Sequence, residues 1–182
     1  MYGMIHQAAR EMVHTVADAE TWSVILEKSG LDEEHFISAQ TYTDDVTFAL
    51  IGAIQGVTGM PIGDLLAAFG RYWIEFAAST SYRSVMEMAG NDLESLLNNL
   101  DRMHTSIKST MPDADMPSFI VVHSDAQRLE VEYRSSRSGL EMFVKGLLEG
   151  LLERFDDEGD VSFDVREDHV AFTVDRRAAK VA

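Results

Sequence analysis

Apolar residues fall at 4, 5, 8, 9, 12, 13 and 16, spacings of three and four that lay one stripe along a helix over residues 4–16. The same period predicts a short helix over 20–30, stopped by Gly30, and a longer one over 42–59, opening at a Thr/Asp cap and ending near Gly59. Residues 61–80 repeat it, with Pro61 near the start and Gly70 as the expected break. In 91–111 the stripe is Leu93, Leu96, Leu97, Leu100, Met103, Ile107 and Met111; Asn91 and Glu94 stand at capping-box spacing and Pro112 closes the helix. Beyond residue 117 the period drops to two. The segments 118–124, 128–135, 160–168 and 169–177 read as strands, the last two joined by a turn at 166–169. Between them, 139–155 carries Leu140, Phe143, Val144, Leu147, Leu148, Leu151, Leu152 and Phe155 on one wide helical stripe. The pattern predicts an α+β fold. A helical part, about 1–112, precedes a small antiparallel sheet with an inserted helix, about 113–182, as a single domain.

Composition narrows the function. At 182 residues, 46% apolar and 25% charged, the chain suits one globular domain with a sizeable core. No apolar run has the length of a membrane span, and the first residues lack the basic start and apolar core of a signal peptide. The absence of cysteine excludes disulfides and thiolate metal sites and fits a cytoplasmic protein. The net charge of −16, with 15 scattered Lys and Arg, argues against nucleic acid as a partner.

Two features carry chemistry. His104 lies four residues after Leu100 and three before Ile107, so the helix aims an imidazole along its own apolar stripe. Such a histidine either bonds a backbone carbonyl in the core or serves as a ligand. On the second strand Leu129, Val131 and Tyr133 share one face, and continuing that face brings Ser135 and then Arg137, a row of donors roughly 13 Å long. Arg137 either pairs with one of 31 Asp and Glu at the surface or grips an anion. One ligand answers both features: haem, whose iron takes an axial histidine and whose propionates take the donors.

The stretches "LDRMHTSIKSTMPDADMPSF" and "VEYRSSRSGLEMFVKGLLEG", with "MYGMIHQA", "TYTDDVTF" and "AFGRYW", resemble the haem–nitric oxide/oxygen binding (H-NOX) family over nearly the whole chain. The resemblance implies haem b (iron protoporphyrin IX) between the helical part and the sheet, with His104 as proximal ligand and Tyr133, Ser135 and Arg137 on the propionates. It implies Pro117 pressing on and bending the haem, Leu100 on the proximal face, and a distal wall of Ile5, Trp73, Phe143 and Leu147, with Met142 the alternative to Phe143. It further implies nitric oxide and carbon monoxide as ligands, release of the histidine by nitric oxide, and a histidine kinase or cyclic-di-GMP enzyme as effector. Oxygen-binding members supply a distal tyrosine from the inserted helix; 138–155 contains none. The cysteine zinc site of some members has no counterpart here.

The expected function is therefore a gas sensor without catalysis. A peroxidase-like haem enzyme would need polar distal groups, for which His6 is the one neighbour, and an oxygen-binding haem protein would need a distal donor. A haem-free interaction module would keep only the fold. The histidines at 6, 14, 35, 123 and 169 read as surface or turn residues. Neither HExxH, G-x-S-x-G, a P-loop nor G-x-G-x-x-G is present.

Overall fold

In the computed structural model, which describes residues 1–80 and 82–177, helices come first and a four-stranded antiparallel sheet follows. The helices are α1 (Gly3–Val16), α2 (Ala19–Ser29), α3 (Asp44–Thr58), α4 (Ile62–Ser79), α5 (Arg83–Ala89), α6 (Leu93–Thr110) and α7 (Glu141–Arg154). The strands are β1 (Ser118–Ser124), β2 (Arg128–Arg134), β3 (Gly159–Val165) and β4 (Val170–Arg176), in the order β1-β2-β4-β3, with α7 inserted between β2 and β3. Among the described residues no single helix is long and apolar enough to cross a membrane.

Two compact units share the chain. The first comprises 1–65 and 111–115. Here Thr43 stands at the N-cap of α3 without lending its side chain, while Asp44 and Asp45 fill the first turn, where the helix dipole favours negative charge. A 3₁₀ turn, Glu33–Phe36, that apolar periodicity does not reveal lies between α2 and α3. Backbone bonds from Gly3 N to Gln40 O (2.9 Å) and Met4 N to Ser38 O (3.1 Å) tie the start of α1 to the loop between this turn and α3. His6 overturns the reading of a surface histidine. It is fully buried, with Nδ1 bonded to the carbonyl of His35 (2.6 Å) and Nε2 to Thr47 Oγ1 (2.8 Å). Both nitrogens find partners, so burial is affordable for a polar ring.

The second unit comprises 66–110 and the chain from 116 on. Its core joins Leu93, Leu96 and Leu97 of α6, Val144, Leu148 and Leu151 of α7, and the inward faces of the sheet, including Leu129, Val131, Tyr133, Phe172 and Val174. Two local expectations fail. Gly70 does not break α4, which runs through it. A Cβ at Gly70 would fall on the carbonyl oxygen of Phe143, and one at Gly146 on the carbonyl of Ala67; the missing side chains let α4 and α7 cross backbone to backbone. Arg71 and Glu149 pair at the same crossing. The cap of α6 is also not the Asn91/Glu94 box: Asp92 Oδ1 accepts from Ser95 N at 2.8 Å. Glu94 instead accepts from Ser124 Oγ at 2.5 Å, at the far end of β1. Helix α5, too short for a periodic signal, packs Met86 and Ala89 into this core.

Candidate functional site

Residues 94, 97, 101 and 104 are separated by three, four and three, so they line one face of α6. That face meets β1. Glu94 holds its end and Asp101 its beginning: Asp101 Oδ2 accepts from Ser118 Oγ (2.6 Å) and Oδ1 from the Phe119 backbone N–H (2.9 Å). One turn on, His104 Nδ1 lies 2.9 Å from the carbonyl oxygen of Pro117. A carbonyl only accepts, so Nδ1 carries the proton and Nε2 keeps its lone pair. Burial lowers the His104 pKa below its ordinary 6.5, against smaller opposing effects of the Pro117 carbonyl and the Asp101 charge. The ring is therefore neutral at pH 7. Among the described residues its Nε2 has no hydrogen-bond partner. A neutral imidazole with one nitrogen fixed by a carbonyl and a free lone pair on the other is the form that ligates metals.

A chain of rings leads from this histidine to the sheet. Phe119 lies 6.2 Å from His104 and 5.2 Å from Tyr133, whose own ring meets Phe172 edge-on at 6.2 Å. Tyr133 is 5% exposed on the inward face of β2. The expected extended row from Tyr133 to Arg137 does not form. β2 ends at Arg134, and the Arg137 backbone N–H turns back onto Ser135 Oγ at 3.1 Å. A serine hydroxyl offers the backbone a local partner in place of a ladder bond, and the strand stops there. Ser135 and Arg137 are half-buried in the loop that follows.

Leu100, Met103, Trp73 and Leu147 pack against the core of this unit while keeping part of their surface open. Phe143 contacts the buried Phe69 at 5.2 Å, and the α4–α7 crossing sets the backbone of Phe143 and Leu147 against Gly70. Trp73 stacks on Phe76 at 5.7 Å and an interplanar angle of 29°. Pro117 is half-buried at the start of β1. The second unit thus holds His104, Leu100, Pro117, Tyr133, Ser135, Arg137, Trp73, Phe143 and Leu147; Ile5 belongs to the first, half-buried on α1. Of the residues that matter locally, sequence reasoning missed Asp101. Its signal was an acid one turn before the histidine, on the helix face that carries Leu97.

This donor set suits haem. Among the described residues no three His, Asp or Glu side chains gather around a metal position. A macrocycle that brings its own metal ligands asks only one imidazole of the chain, and half-open apolar side chains suit a flat apolar group of that kind.

The chain matches the family model described as "Haem-NO-binding" over residues 2–163. Soluble guanylate cyclase gcy-35 of Caenorhabditis elegans is 32% identical over 162 residues, covering 86% of this chain and 23% of that protein. For gcy-31 of the same organism the values are 27% over 151 residues, 83% and 22%. The chain spans about a fifth of the length of the curated relatives it matches. An H-NOX protein from S. oneidensis in the Fe(II) ligation state aligns at a TM-score of 0.87 and 22% identity, over 100% of this chain and 98% of that one. One described as being in the Fe(II)NO ligation state aligns at 0.85 and 22%, over 98% and 100%. These structures share the helix-then-sheet architecture.

Proposed function

The chain belongs to the haem-NO-binding family, and from that premise we propose that it is a haem-based gas sensor in which His104 ligates the iron and nitric oxide is the signal. The observation that carries the reading is the state of His104: neutral, its Nδ1 proton given to Pro117, its Nε2 lone pair free for a metal. Haem b, when bound, would supply a ferrous iron with a coordination position for a diatomic gas. The chain's own residues do the rest. Tyr133, Ser135 and Arg137 stand as donors for the two propionates, with the half-buried guanidinium able to hold a carboxylate. Leu100 and Pro117 support the proximal side, and Trp73, Phe143 and Leu147 wall the distal side. That wall offers no acid–base pair, which favours sensing over peroxidase-like catalysis. No catalytic residue is assigned to this chain.

His104 is also the tie between ligand and fold. Because α6 is bonded to β1 through Glu94 and Asp101, displacement of the histidine would be passed to both elements together. The proposed effector is a histidine kinase or a cyclic-di-GMP enzyme in the cytoplasm, as the family resemblance implies. Absorption spectroscopy of the purified protein tests the core of this reading. A Soret band is expected that is lost in His104→Gly and restored by imidazole; an unchanged band in that variant overturns the ligand assignment.

A further inference from the structure

We infer that Asp101 is a positioning residue for His104, acting through three consecutive residues of β1 and its approach. The carboxylate of Asp101 takes two bonds from neighbouring residues, Ser118 Oγ at 2.6 Å and Phe119 N at 2.9 Å. The residue before them is Pro117, whose carbonyl takes the His104 Nδ1 proton at 2.9 Å. Two side chains one turn apart on α6 therefore hold one tripeptide, and the bond that selects the histidine tautomer depends on where that tripeptide lies.

The sheet holds this stretch from one side only. β1 is an edge strand: Ser118 and Phe119 pair with Arg134 and Tyr133 of β2 on one side, and Pro117 lies before the first paired residue. The amide of Phe119 goes to Asp101 instead of a neighbouring strand. Pro117 has no N–H with which to anchor its own position. Asp101 thus fixes the side of this segment that β2 leaves open, and with it the carbonyl of Pro117. Removing it frees the carbonyl to swing, and the imidazole loses its reason to keep the proton on Nδ1. A ring with its proton on Nε2 has no lone pair there to offer a metal. The inference rests on the haem reading only for its consequence; the tautomer itself is a property of the chain.

The test uses the full chain, reduced and saturated with carbon monoxide, with ¹⁵N-labelled histidine and amide groups. In the unsubstituted protein the His104 Nδ1–H and the Phe119 amide should both exchange slowly. In Asp101→Ala both should exchange at least tenfold faster, and any molecules without haem should show the Nε2–H tautomer. Loss of such a supporting partner should weaken haem retention about 10–100-fold. Asp101→Asn should restore slow exchange at both positions, because its amide can accept from Phe119 and donate to Ser118 Oγ. A folded Asp101→Ala protein whose His104 keeps a slowly exchanging Nδ1–H overturns the proposal, since a merely structural role would loosen Phe119 alone. If Asp101→Ala does not fold, Ser118→Ala, which removes one of the two bonds, decides: faster exchange at Nδ1 supports the assignment, and unchanged exchange there overturns it. A protein without a Soret band that still shows the Nδ1–H tautomer would sink the haem reading and leave this one standing.

Discussion

His104 donates from Nδ1 to the carbonyl oxygen of Pro117 at 2.9 Å, across thirteen residues of chain. The bond decides which ring nitrogen is free, and it couples the C-terminal half of α6 to the first residue before the sheet. The expectations below start from this relationship and from the packing that surrounds it.

Arg137 is the first half-buried cation after β2 in sequence. If it holds a propionate, Arg137→Ala deletes a charge-assisted bond of about 1.5–3 kcal/mol. Haem should then leave about 10- to 100-fold faster when transferred to apomyoglobin. An unchanged transfer rate would remove Arg137 from the site.

Gly146 touches the backbone of α4, where a Cβ would meet the carbonyl of Ala67. Gly146→Ala should push the helices apart and destabilise the fold by about 1–3 kcal/mol, the usual cost of overpacking. Urea unfolding would show this as a lower midpoint with an unchanged slope. A neutral or stabilising result would mean that the helices do not cross this closely.

His6 ties stability to pH. Burial holds its pKa below the ordinary 6.5, with the His35 carbonyl as the main opposing influence. The unfolded chain therefore takes up a proton near pH 6.5 that the folded chain resists, so stability is full above that pH and declines as pH falls below it. His104 is shifted in the same direction by burial. Urea midpoints should fall between pH 7.5 and 5.5, with a shallower decline in His6→Gln. An equal decline in that variant would assign the acid sensitivity elsewhere.

Gas selectivity follows from the distal wall. A stable oxygen complex needs a hydrogen-bond donor beside the ligand, and 138–155 has no tyrosine, histidine or tryptophan. The ring of Trp73 stacks on Phe76. The ferrous protein should take up nitric oxide and carbon monoxide and show no persistent oxygen spectrum in air-saturated buffer. A persistent one that disappears in Trp73→Phe would identify the indole N–H as the donor.

The sequence by itself determined the order of all the elements but α5 and the 3₁₀ turn, and most of their limits. β1 spans the 118–124 read from its alternation, and α7 lies within the 139–155 read from its stripe. Periods of two and 3.6 are set by side chains a few residues apart, so the chain carries them without help. His104, Tyr133, Ser135 and Arg137 could be singled out for the same reason, as polar groups on apolar faces. What only the tertiary structure decided depends on partners far along the chain. Gly70 costs a helix about 1 kcal/mol relative to alanine, which reads locally as a break. Packing against Phe143 and Leu147, more than seventy residues on, keeps α4 continuous. His6 looked like a surface residue because its partners, His35 and Thr47, come from a turn and a helix that follow it. The tautomer of His104 belongs to the same class. A hydrogen bond needs atoms about 3 Å apart, and no local period states that Asp101 brings Ser118 and Phe119, and with them the carbonyl of Pro117, to that distance.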